Sequence, residues 1–98
     1  MQRFIAVVSG DSMWPTYTDG QRLECTSDFQ QLVVGSVVVF IHPLRSHLRA
    51  IKRIKDIDEK SLFVEGDHPD PLASEDSHNF GRIPRSNVVG IVLDIESE

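Results

Sequence analysis

The run Ser36-Val37-Val38-Val39-Phe40-Ile41-His42, set between Gly35 and Pro43, leaves this chain little freedom of fold. Its β-branched and aromatic residues favour an extended backbone, and its unbroken apolar series has no polar face to offer to water. It therefore predicts a buried central strand over residues 36–42. Shorter β-prone segments surround it. Residues 4–8 and 21–26 read as strands on either side of a turn at Gly20, with Leu23 and Cys25 alternating onto one side of the second. Residues 62–65 and 88–95 read as two more, the last placing Val89, Ile91, Leu93 and Ile95 on one side.

Residues 48–57 pose a conflict of period. Leu48, Ile51, Ile54 and Ile57 recur every third residue, but a spacing of three drifts around a 3.6-residue turn, so a strand is the better reading. One face then carries Leu48, Ala50, Lys52 and Ile54, the other Arg49, Ile51, Arg53 and Lys55. Lys52 is the lone charge among apolar neighbours. Residues 66–84, "GDHPDPLASEDSHNFGRIP", are too polar and proline-rich for regular structure and read as a loop. Six or seven short strands without a long helix predict a mainly-β fold, a coiled sheet or partial barrel.

With 98 residues, 40% hydrophobic and 26% charged, the chain has the material for a single domain over 1–98 with a modest core. A net charge of -5 opposes binding to nucleic acid by phosphate neutralisation, and the basic residues of 45–55 read as a solvated strand face, Lys52 excepted. Cys25 is alone, which excludes an intrachain disulfide and predicts a small buried hydrophobe in a reducing, cytoplasmic compartment. The apolar runs fall short of the roughly 20 residues of a transmembrane helix, and the apolar start "MQRFIAVVSG" is too short for a signal peptide.

Chemistry is concentrated in "SGDSMWPT", residues 9–16. A serine in such a turn ordinarily satisfies local backbone groups, and becomes a nucleophile only with a base in hydrogen-bond reach. His42 and His47 flank a turn and His68 lies in the proline-rich loop, which makes each a surface or turn residue. Metal-ligand spacing is absent among the histidines, so neither a metal nor a cofactor is expected. Lys52 is the remaining base: an amine in an apolar site has its neutral form favoured and can accept a proton. The ordinary alternative is a lysine that snorkels to water.

Three blocks then occur in one order: S-M-x-P-T from Ser12, "AIKRI" around Lys52, and "GDHPDPLASEDSHNFG". A chance match to the first alone is on the order of one in a thousand in a chain this short. Together they resemble the type I signal peptidase family, serine proteases that use a Ser-Lys dyad on a mainly-β catalytic core. The resemblance implies Ser12 as nucleophile, Lys52 as general base, Ser74 as the serine that orients the amine and Asp76 as a supporting acid. It implies an oxyanion site built on backbone N–H groups, beginning with Ser12, because Gly10 stands where some members have a serine donor. His78 replaces an arginine that often pairs with the acid, which leaves that pairing open. Met13 and Trp14 become candidates for a substrate groove, with a core anchor the other role for Trp14. Size and loop are most similar to the proteases that mature nickel-type superoxide dismutase, so the implied partner is a precursor protein with a leader peptide. Self-cleaving repressors share the dyad, but normally carry a DNA-binding domain and cleavable linker. A non-enzymatic β interaction module is the reading in which Ser12 and Lys52 have no joint role.

Overall fold

The computed structural model describes residues 2–93. Among these residues seven strands form one antiparallel sheet: β1 (Arg3–Val7), β2 (Arg22–Thr26), β3 (Val37–His42), β4 (Arg45–Ile57), β5 (Ser61–Glu65), β6 (Ile83–Pro84) and β7 (Val88–Val92). Their order across the sheet is β1-β2-β7-β3-β4-β5-β6. The mainly-β single domain is as expected, and the sheet coils without closing into a barrel. Among the described residues no helix is long and apolar enough to cross a membrane.

The apolar run of β3 explains the architecture. Alternate residues point to opposite faces, so Val38 and Phe40 enter one core with Ile54, Leu62, Val64 and Ile83. Val39 enters a second with Val8, Leu23 and Cys25. A strand with two apolar faces thus carries a core on each. Cys25 is fully buried there, and burial pushes its thiol pKa up.

The second core also curls the sheet. Ile51 of β4 packs against the same buried cluster as Phe4 and Ala6 of β1, although β2, β7 and β3 lie between those strands in hydrogen-bonding order. The end of β1 is thereby brought across from the middle of β4, and this sets up the site.

Two expectations need correction. Residues 66–84 are not wholly irregular: they hold a 3-10 turn at Pro71–Ala73, a one-turn helix α1 (Ser77–Phe80) and β6. The helix exists because Asp76 accepts from the His78 N–H while the Asn79 side chain takes the Asp76 N–H, a reciprocal cap that outweighs the polar composition. His42 is not a surface residue, being 5% exposed. It stands two residues after Phe40 and shares that residue's inward face. At the last strand, Ile95 of the expected 88–95 lies outside the described residues.

Candidate active site

Ser12 sits in a turn just after β1. Val8 closes β1 onto the chain beyond the turn, donating to Gln21 O at 2.9 Å and accepting from Gly20 N at 2.7 Å. Gly10 takes φ +87°, a left-handed backbone that glycine adopts without strain, and its N–H donates to Asp19 Oδ1 at 2.7 Å. Trp14 N then bonds Asp11 O and Tyr17 N bonds Met13 O, winding Asp11 to Tyr17 into successive tight turns. Met13 is 1% exposed and anchors that turn in the interior.

Lys52 reaches Ser12 from β4. Its Nζ donates to Ser12 Oγ at 3.0 Å, and the residue is only 7% exposed. Burial pushes the amine below the ordinary lysine range, and the carboxylates of Asp76 and Glu75 oppose that shift without cancelling it. The amine-hydroxyl pair lines a cleft of about 230 Å³ together with Ser9, Met13, His42 and Glu75. A larger hollow of about 550 Å³ is bordered by Glu65, His68, Ser74 and His78. It contains neither Ser12 nor Lys52; that pair belongs to the smaller cleft.

A second set of contacts fixes the turn against the segment after β5. His68 N donates to Ser12 O at 3.0 Å, and Thr16 Oγ1 donates to Asp67 Oδ2 at 2.7 Å. Asp67 is gripped by Arg53 through Nε at 2.9 Å and Nη2 at 2.7 Å. The Arg53 hydrogen bonds hold the Asp67 carboxyl below its usual range against the effect of burial. Gly66 makes the approach possible: a Cβ there would lie 2.5 Å from Ser12 O and collide with Ser74 Oγ. Sequence reading missed this clamp, although Thr16, Arg53 and Asp67 each stand inside or beside a quoted block.

Ser74 and Asp76 lie next to this arrangement and bond each other. Ser74 Oγ donates to Asp76 Oδ2 at 3.0 Å. Its proton goes to the stronger, charged acceptor, which leaves only lone pairs for the Lys52 amine. Burial raises the Asp76 pKa, but bonds from Gly66 N, the His78 ring and backbone, and Ser74 outweigh it and set the net shift downward. His78 Nδ1 is 2.9 Å from Asp76 Oδ1, so the pairing of this position with the acid, left open by the sequence, is made by the histidine.

Trp14 does not line the cleft with Ser12. It is 45% exposed and its ring lies 5.5 Å from that of His68, whereas Met13 both lines the cleft and is buried. His47 is exposed. Among the described residues no group of histidine, cysteine and acidic side chains is arranged to hold a metal ion. No family model and no curated protein sequence matches the chain.

Proposed function

We propose that this chain is a serine endopeptidase working through a Ser12-Lys52 dyad. The observation that carries the reading is a buried, pKa-depressed lysine amine 3.0 Å from a serine hydroxyl in a cleft. A lysine kept only for its charge gains nothing from such burial.

Neutral Lys52 takes the Ser12 Oγ proton as the oxygen attacks a peptide carbonyl carbon. The tetrahedral oxyanion collapses, the C–N bond breaks, and Lys52 returns the proton to the departing amine. Water, deprotonated by the same amine, then attacks the ester, giving a carboxylic acid and free Ser12. Among the described residues the Ser12 N–H donates to no protein group, which fits it for the oxyanion; one such donor is worth about 100- to 1,000-fold in rate. Among the described residues, the first strand of the sheet and residues 45–52 of β4, which extend beyond the β5 pairing, each have a free edge near the cleft. Such edges receive an extended peptide as an added strand.

The resemblance of the three blocks directs the substrate to a precursor protein with an amino-terminal leader, that of a nickel-type superoxide dismutase. The test is incubation of purified protein with that precursor and mass measurement of both products. Two fragments formed by the unaltered protein, and none by Ser12→Ala, support the reading. Cleavage of secretory leaders instead retains the chemistry and replaces the substrate, whereas equal cleavage by Ser12→Ala refutes the dyad.

A further inference from the structure

His42 closes β3 on the inward face, its ring 4.8 Å from that of Phe80 and tilted by 58°. Its Nδ1 accepts from Leu44 N at 3.1 Å. A ring nitrogen that accepts carries no proton, so the ring proton sits on Nε2 and makes it a donor. That donor is buried without a hydrogen-bond partner among the described residues. The acidic atom across from it is Glu75 Oε1, at 3.8 Å too distant for a direct bond. Both residues line the cleft that holds Ser12 and Lys52.

A buried donor short of a partner and an acceptor on the rim beside it define a chemical pattern. We propose that the His42-Glu75 recess binds an uncharged hydrogen-bonding side chain, a hydroxyl or carboxamide, on the substrate residue that precedes the scissile bond. The assignment rests on the peptidase reading above, because it is the shared cleft that places the recess beside that bond. A hydroxyl or carboxamide accepts from His42 Nε2 and donates to Glu75. A methyl group does neither and leaves the donor stranded, which is the costly case. An ammonium group satisfies Glu75 but turns a donor towards His42. A carboxylate accepts from His42 but meets a like charge at Glu75. The Glu75 side chain is 59% exposed, so it can move on the rim to admit a guest.

Decapeptide pools with the fifth residue fixed as Ser, Asn, Ala, Leu, Lys or Glu, and all others randomised, test this by mass spectrometry of cleavage after that residue. The Ser and Asn pools are expected to be cut about tenfold faster than the Ala and Leu pools, with Lys and Glu slowest. His42→Phe keeps a ring on Phe80 and removes the donor, so it brings Ala and Leu level with Ser and Asn. Glu75→Ala, a change on the exposed rim, is expected to narrow the same preference and serves if His42→Phe fails to fold. Equal rates across the pools, or a ranking untouched by the variants, overturn the recess while leaving the peptidase in place. If no pool is cut, the peptidase reading falls, and the His42 imidazole nitrogen resonances of the Ser12→Ala protein decide the recess. A larger Nε2 shift with the Ser and Asn pools than with Ala supports it, and identical shifts end it.

Discussion

Lys52 and Arg53 are adjacent on β4 and face opposite ways, and the protein treats the two cations differently. Arg53 meets a carboxylate in a two-pronged bond, Nε and Nη2 to Asp67, and through Thr16 that carboxylate holds the serine turn. Lys52 is more deeply buried and meets a hydroxyl, with its charge disfavoured by desolvation. The arginine cannot lose its proton, so a carboxylate makes it structural. The lysine can, and with no acid so close among the described residues its neutral form is the easier to reach. In the proposed reaction one strand thus supplies the base and, a residue later, the fastening that aims it.

The strongest way to break this contrast is to replace each cation by methionine. Lys52→Met is expected to lower cleavage of the precursor by about 100- to 10,000-fold, the usual range for a general base. An unchanged initial rate would assign proton transfer elsewhere. The same substitution is expected to raise stability at neutral pH, by about 0.5–2 kcal/mol in denaturant unfolding, because a buried charge site becomes a matched apolar one. The linkage gives the sign. The folded pKa of Lys52 lies below its unfolded value, so between the two the unfolded chain binds more protons and stability rises with pH. Below the folded pKa the cost is fully present, and above the unfolded pKa it is gone. The advantage of Lys52→Met should accordingly shrink as pH climbs through that window.

Arg53→Met should act in the opposite direction, costing about 1.5–3 kcal/mol as the Asp67 carboxylate loses charged hydrogen bonds at a site mostly closed to water. A stabilising outcome would erase the distinction between the two cations. Asp67→Asn sharpens it. The Asp67 pKa is depressed in the fold, so its contribution is complete above the unfolded carboxyl range and fades as pH falls through the folded value. The variant and the unaltered protein should therefore converge in unfolding free energy at acid pH. Gly66→Ala tests the spacing that both cations serve, since the added carbon must push Ser12 O or Ser74 Oγ away. About 1–3 kcal/mol of overpacking cost is expected, together with a fall in cleavage rate.

How the residues were legible in sequence follows from the range of the interactions involved. The period-two alternation through 48–54 placed Lys52 inward, and the apolar run placed β3, because each is a local pattern carried by consecutive residues. The same parity reaches His42 from Val38 and Phe40, yet the neighbouring Pro43 drew it into the turn. The bonds of Thr16 and Arg53 to Asp67 join segments separated by 51 and 14 positions, and no local periodicity encodes them. In residues 66–84, proline and charge concealed a helix held by a reciprocal cap, by the Val64 N–H bonded to Ser77 Oγ and by Phe80 against the core. Ser74 was foreseen as a neighbour of the site, but its choice of Asp76 as acceptor depends on how close Gly66 lets it come.

His78 offers the smallest test, and it bears on how the acidic side of the cleft is fastened. Its ring contacts Asp76 at 2.9 Å and Glu65 at 3.3 Å, but its side chain is 59% exposed. Water competes for every bond it makes, so His78→Ala should cost no more than about 1 kcal/mol by denaturant unfolding. Asp76 keeps its bonds from Gly66 N, Ser74 Oγ and the backbone of residue 78, and these continue to hold its pKa low. Lys52 therefore faces nearly the same charge, and the midpoint of the pH-rate profile should move little. A large displacement of that midpoint would show that the histidine governs the acid as fully as Arg53 governs Asp67. The contrast between a buried clamp and a solvated contact would then fail at its weaker end.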